Sequence, residues 1–297
     1  MRDLRTAGAA LLVAAAVGAL ALLTPATSGA FSASVTNSAD TAKAASLFRC
    51  ADTFSATRAR AAANTYFEYA LSETAGTTTA ADSSSAGNPG LYQSTHSTDV
   101  GTPTACPNDT PKVAYAPAGT AQTPQYVTTT NPVGTSPTTF SIVVWFKTST
   151  KSGRLIGLGG SQTGASATYD RQVYLQPSGQ LSFGTYSTSY QIVSTGTGTN
   201  YADGAWHQVV ATFTAGSPNT GMFLYVDGAL ASSNAAFTTA QTNTGYWRIG
   251  YDALGSGWTG NTATNAFFVG SIKYAAAYRY VLTLPEVKSL YSIGAPA

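Results

Sequence analysis

From Thr65 onward the chain alternates short apolar runs with turn-forming clusters. Tyr66, Phe67, Tyr69 and Leu71 open the series. Runs follow at Lys112–Tyr115, Tyr126–Thr129, Phe140–Lys147, Arg154–Leu158, Gln172–Gln176, Leu181–Tyr186, Gln191–Ser194, His207–Thr214, Met222–Val226, Tyr246–Gly250 and Phe267–Tyr278. Between them stand Pro177–Gly179, Asp203-Gly204, Ser217-Pro218-Asn219 and Asp227-Gly228. Runs of strand length, rich in Thr, Tyr and Val and punctuated by Gly, Pro, Asn and Asp, predict an all-β antiparallel sandwich or barrel; about a dozen of them fit one two-sheet domain better than two domains. Around His207–Thr214, alternation places Trp206, Gln208, Val210 and Thr212 on one face and His207, Val209, Ala211 and Phe213 on the other. Asp227-Gly228 predicts a hairpin turn, because Gly takes positive φ without steric cost. Two places depart from the strand pattern. The Ala/Arg content before Asn64 allows a short helix, and "TLPEVKSLYS" predicts another near the C-terminus, with Thr283 as N-cap and Pro285 and Glu286 in its first turn.

The first thirty residues follow a different rule. Arg2 and Arg5 precede an apolar run from Ala9 to Leu23, and small residues continue to Ala30. This is the pattern of a secretory signal, expected to be cleaved after Ala30 and to meet a membrane only before cleavage. Residues 31–64 then read as a flexible, short-helical mature N-terminal segment, and residues 65–293 as the β domain. Composition agrees with a secreted, extracellular or cell-surface location. Of 297 residues only 9% are charged, far below the usual share of about 25%, so Thr, Ser, Asn, Gln and Gly must carry the surface. The net charge of +2 is scattered, which excludes the cationic stripe that nucleic acid needs. Cys50 and Cys106 are the two cysteines. In an exported chain they are most simply one disulfide, which would contribute on the order of 4 kcal/mol. The alternatives, free thiols or a metal site, lack supporting ligands, since His96 and His207 are the only histidines and zinc prefers Cys/His sets.

The segments "FSIVVWFKTS", "GRLIGLGG", "YDRQVYLQPSGQLSFGTYS", "YADGAWHQVVATF", "GMFLYVDGALASS", "GYWRIGYD" and "FFVGSIKYAAAYRYVLTLPEVKSLY" resemble the laminin-G-like domains of the concanavalin A-like lectin/glucanase superfamily, in that family's order. The resemblance covers roughly Thr65 to Ile293. It implies a jelly-roll sandwich of two curved antiparallel sheets. Glucanases of this superfamily cleave with paired carboxylates on one strand. Here the only glutamates are Glu68, Glu73 and Glu286, no strand carries two acids at the required spacing, and Ser271-Ile272-Lys273 stands where the family often has Ile-Asp-Glu. The expectation is a protein that is not an enzyme, with glycoside hydrolysis the less favoured alternative. His207 and Asp227 could form a catalytic pair only with a nucleophile in register, and no G-x-S-x-G is present; they are read as architecture.

Binding is therefore sought in loops. Gly250–Phe268 places Asp252, Trp258, Asn261 and Asn265 among glycines, and Tyr169-Asp170-Arg171 is read as another turn. The two stretches are expected to meet at one end of the sandwich. Trp258 would stack on a sugar with Tyr169 and Asn261 beside it, and Arg171 would orient the site. Asp170 and Asp252 would accept hydroxyl hydrogen bonds or coordinate calcium, which many laminin-G-like domains hold at a sheet rim through aspartates and carbonyls. The expected partner is carbohydrate or another surface protein. The competing expectation is a structural, adhesive or fibre-forming protein. "FSASVTN" resembles the start of surface-fibre and biofilm-matrix proteins, where an N-terminal strand can add to a neighbour's sheet.

Overall fold

The computed structural model describes residues 48–52, 63–120, 122–151, 153–216, 220–258 and 266–296. The expected signal segment and the helix expected before Asn64 lie outside the described residues. The strands are β1 (Thr65–Tyr69), β2 (Thr79–Ala80), β3 (Gly90–Gln93), β4 (Thr98–Asp99), β5 (Ala114–Tyr115), β6 (Tyr126–Thr129), β7 (Thr139–Lys147) and β8 (Gly153–Gly159). Then come β9 (Tyr169–Leu175), β10 (Leu181–Tyr186), β11 (Tyr190–Ser194), β12 (Trp206–Thr214), β13 (Gly221–Val226), β14 (Ala229–Asn234), β15 (Tyr246–Ile249) and β16 (Ser271–Tyr278), followed by helix α1 (Leu284–Gly294).

These strands form two antiparallel sheets. The first runs β14-β13-β12-β7-β16-β5-β4, with β1 sharing the far edge of β16; the second runs β11-β10-β9-β8-β15-β6-β3-β2. The alternation predicted for β12 holds. Val209, Ala211 and Phe213 join the core between the sheets with Phe140, Val144, Phe183 and Trp247. Trp206 and Val210 point the other way, into a second apolar cluster with Trp145, Val287 and Leu290. α1 thus covers the outer face of the first sheet, which is why β7 and β16 are apolar on both faces. The Glu286 carboxylate accepts the Thr283 amide at 2.7 Å and its hydroxyl at 2.8 Å, as the sequence signal required. The Cys50–Cys106 disulfide is formed, with Cα atoms 5.5 Å apart. It ties the segment before β1 to the loop after β4, and Cys106 N–H donates to the carbonyl of Gly294 at 2.8 Å.

Asp227 (φ 50°) and Gly228 (φ 77°) are both left-handed, and join β13 to β14 by a two-residue turn with Val226 opposite Ala229. That is the hairpin geometry whose twist matches its strands. Asp227 does more than turn the chain. Its carboxylate takes the Gln208 amide at 2.8 Å and His207 Nδ1 at 2.8 Å, while His207 Nε2 lies 3.1 Å from Asp203. The imidazole is a strut between two loops. Burial works against its protonation, but the hydrogen bonds and charges of Asp227 and Asp203 outweigh this and raise its pKa above the ordinary 6.5. No helix among the described residues is long and apolar enough to cross a membrane.

Candidate functional site

Tyr169, Asp170 and Arg171 are not a turn. They begin β9, paired to the end of β8. Further along β9, Val173 and Leu175 face the inter-sheet core, so Tyr174 lies on the outer face of the second sheet. There it meets Leu254 and Trp258 in a small separate cluster, with Tyr169 and Ile192 packed against it. The loop after β15 thus folds back over the outer face. Trp258 is 1% exposed, edge-on to Tyr174 at 6.2 Å and 6.4 Å from Tyr169. The indole lies on Gly184 of β10, where any Cβ would collide with its six-membered ring; a bare backbone is the condition for this close approach. Gly257 is likewise covered by the Tyr190 ring.

Two more aromatics complete the arrangement. Tyr186 ends β10 and Tyr190 starts β11, paired across the hairpin with ring centroids 5.0 Å apart. Tyr190 stands at 69° to Trp258, 5.2 Å away, and is 43% exposed. Tyr169, Tyr186, Tyr190, Trp258, Thr168 and Gln241 line a groove of ≈190 Å³. Of the residues singled out in the sequence, the structure therefore brings Tyr169 and Trp258 to one groove. Asn261 lies outside the described residues.

Asp170, Arg171 and Asp252 are all fully buried beneath this surface. Asp170 lies 2.5 Å from the Arg171 guanidinium and accepts the Arg171 and Tyr186 amides, each at 2.7 Å. Burial raises its pKa to about 6 against the pull of Arg171 and these amides. Arg171 in turn donates to the carbonyls of Pro137 and Gln241. The pair thus holds the backbone of two groove residues, Tyr186 and Gln241, from below. Asp252 accepts the Ser166 and Ala253 amides at 2.7 Å each and is paired with Arg154 at 2.8 Å and Arg248 at 3.3 Å. Burial drives the Arg154 pKa well below its ordinary value, and the nearby charge of Arg248 adds to this. Arg248 also stacks near Tyr126 at 4.7 Å and donates to the carbonyls of Ser161 and Gly164. These pairs pin the loops before β9 and after β15. Calcium needs six or more oxygens, whereas each of these carboxylates is already matched by a buried guanidinium. Among the described residues no three His, Cys, Asp or Glu side chains gather as a metal set. The two aspartates fit arginine better than a hard cation.

A family profile of the concanavalin A-like lectin/glucanases superfamily, of laminin-G type, matches residues 121–288. The chain belongs to this superfamily. No curated protein matches it in sequence. Among solved structures, the receptor-binding domain of botulinum neurotoxin type G is similar at TM-score 0.50 and 13% identity, over 77% of this chain and 51% of that one. The binding domain of botulinum neurotoxin DC in complex with SialylT is similar at TM-score 0.50 and 10% identity, over 77% and 51%. Domain 4 of AbnA, a GH43 extracellular arabinanase from Geobacillus stearothermophilus, in complex with arabinotriose, gives 0.49 and 14%, over 76% and 98%. The chain spans about half the length of the two neurotoxin chains, and at these identities the likeness is one of fold.

Proposed function

We propose that this protein is a non-catalytic carbohydrate-binding module that works outside the cell, and that the groove between Tyr169, Tyr186, Tyr190 and Trp258 is its sugar site. The observation that carries this reading is the groove itself. Aromatic faces and edges suit the C–H faces of a sugar ring, while tyrosine hydroxyls, Thr168 and the Gln241 amide offer donors and acceptors around them. The loops that form it are braced by buried ion pairs, so the rings are pre-positioned and little ordering is left to binding. One structure of similar fold, the neurotoxin DC binding domain, is a complex with SialylT, which is consistent with this role. The disulfide suits an oxidising, extracellular compartment.

The absence of catalysis belongs to the same proposal. Each glutamate is employed in structure: Glu68 is buried and bonded to the Tyr274 hydroxyl, Glu73 takes the Tyr92 hydroxyl and the Ala81 amide, and Glu286 caps α1. Calcium has no part in the site as proposed. The test is a glycan array with and without calcium, followed by calorimetry of the strongest hit on wild type and Tyr190→Ala. Capture of a glycan that Tyr190→Ala loses at least tenfold, without turnover, supports the proposal. Failure of wild type to capture any glycan, or an unchanged affinity in Tyr190→Ala, overturns the site.

A further inference from the structure

A second cavity, of ≈390 Å³, opens between the start of β1, the loop joining β6 to β7, and the end of β16. It is larger than the aromatic groove and differs in chemistry. Its lining includes Thr65, Tyr66, Asn88, Asn131, Thr135 and Arg279, and no acid. The Arg279 guanidinium lies over the Tyr66 ring, 3.8 Å from its centroid. Tyr66 is itself immobilised, 7% exposed and 5.7 Å from Trp247. The Arg279 backbone is fixed by the hydrogen bond its N–H donates to the Asn64 carbonyl at 2.8 Å. The guanidinium also hydrogen-bonds the Tyr66 hydroxyl, which fixes it further and leaves the rest of its five N–H donors for a planar acceptor, and the fork geometry matches a carboxylate.

Among the described arginines, what separates Arg279 from its fellows is its lack of an acid. Arg49 pairs with Asp52, Arg154 and Arg248 with Asp252, and Arg171 with Asp170. Among the described residues no carboxylate pairs with Arg279, although it is exposed and other arginines are buried to find one. The walls are polar and built. Asn88 donates to the Tyr66 carbonyl at 3.2 Å and accepts the Asn131 amide at 2.9 Å, which locks the loop across the opening. The side chains of Asn131 and Thr135 are exposed, and the Thr65 hydroxyl is buried without a hydrogen-bond partner among the described residues.

We propose that this cavity binds an acidic sugar, a pyranose carrying a carboxylate, with the carboxylate on the Arg279 fork and ring hydroxyls on Asn131 and Thr135. A phosphate or a free carboxylate would satisfy the arginine but would leave the amide and hydroxyl rim unused. The site is distinct from the aromatic groove and does not rest on it. The two flank one joint, however: Thr135 adjoins Ser136, whose hydroxyl donates to the Gln241 carbonyl at 3.0 Å, and Gln241 lines the groove.

The experiment is a heteronuclear NMR titration of the whole protein with methyl glucuronide, methyl galacturonide, methyl glucoside and acetate, on wild type, Arg279→Ala, Arg279→Lys and Tyr190→Ala. The expected result is that a uronide shifts the Arg279 side-chain resonance and the amides of residues 131–135. Methyl glucoside and acetate should each bind at least about tenfold more weakly, since a charge-assisted bidentate contact and the rim contribute separately. Arg279→Ala should lose the uronide while keeping its melting temperature. Arg279→Lys, which keeps the charge without the fork, should be intermediate. Tyr190→Ala should bind the uronide as wild type does, even if the groove proves to bind nothing. Four results would each overturn the proposal: equal binding of glucoside and uronide, acetate saturating the site as well as the uronide, Arg279→Ala binding like wild type, or neither uronide binding.

Discussion

Replacing Trp258 by alanine separates the two roles that an indole in a glycine-rich loop can have. The ring is 1% exposed, and a tryptophan buries ~150–250 Å². At ~25 cal/mol per Å² this is ~4–6 kcal/mol of transfer free energy. The loop above it can partly collapse into the gap, and the neighbouring Tyr190 can follow, so the expected cost is about 3 kcal/mol. For a domain of this size each kcal/mol lowers the melting temperature by roughly 2–4 °C, so Trp258→Ala should melt about 6–12 °C below wild type. Tyr190 is 43% exposed and its truncation should stay within about 0.5 kcal/mol. Thermal unfolding followed by near-UV circular dichroism on wild type and both variants, with the disulfide intact, reads both numbers. A Trp258→Ala melt within about 1 °C of wild type would refute the reasoning, because it would mean that the indole is not packed on Gly184 in solution. A Tyr190→Ala loss as large as that of Trp258→Ala would be equally damaging, since it would make the exposed ring a packing residue.

Asp252→Ala leaves Arg154 and Arg248 buried without their carboxylate and should cost about 3–5 kcal/mol, read by urea unfolding; a neutral effect would show the loop is not held by these pairs. His207 has a raised folded pKa, so the stability it contributes is complete below its unfolded value of about 6.5 and disappears as pH rises through the folded value. The gap in melting temperature between wild type and His207→Gln should therefore be wide near pH 6 and narrow at alkaline pH, and a gap that widens with pH would reverse the assignment. Melting with added calcium and with chelator should coincide, because Asp170 and Asp252 are held by arginines; a calcium-dependent rise abolished by Asp252→Asn would put a cation at this site. Reduction of Cys50–Cys106 should lower stability by about 4 kcal/mol, seen as a reductant-dependent melt that Cys50→Ser/Cys106→Ser no longer shows.

The strands that could be read from the sequence are mostly those with both faces buried. β6 and β10 begin and end where the apolar runs do, β7, β11, β12 and β13 differ by a residue at one end, and β8 by a residue at each end. β6, β7, β8, β10, β12 and β13 are buried along almost their whole length, so apolar or aromatic residues recur along them, whereas β11 is a sheet-edge strand with Tyr190 exposed, marked by Ile192 and Val193. The strands without a signal are short or exposed. β14, "ALASSN", is mostly exposed and presents no alternation; it exists because the Asp227-Gly228 turn returns the chain alongside β13. β2 and β4 are two-residue pairings set by neighbours and not by their own residues. Tyr169–Arg171 is rich in polar residues and precedes an apolar run, which is how a turn looks. It pairs with the end of β8, and its charges are buried because Asp170 also accepts the Tyr186 amide and Arg171 donates to the Pro137 and Gln241 carbonyls, distant partners that nothing local records.

The same physics explains what the sequence could say about recognition. A chain with 9% charged residues invites the reader to treat each acid in a loop as a ligand. Yet charge buried at 0% exposure must be matched where it stands, and Asp170 and Asp252 are matched by Arg171, Arg154 and Arg248. Their consequence for the groove is indirect: Asp170 fixes the Tyr186 amide and Arg171 the Gln241 carbonyl. The groove wall supplied by Tyr186 and Tyr190 depends on the β10–β11 register, which composition does not encode. With Arg154, Arg171 and Arg248 absorbed by the interior, the described surface is left with neutral aromatic edges at one opening and, at another, the Arg279 guanidinium, which no described carboxylate pairs. Each can be recognised only by a ligand of matching chemistry, an uncharged ring face for the first and an anion for the second. On the two sites proposed, recognition by this protein is decided by which charges the core leaves over.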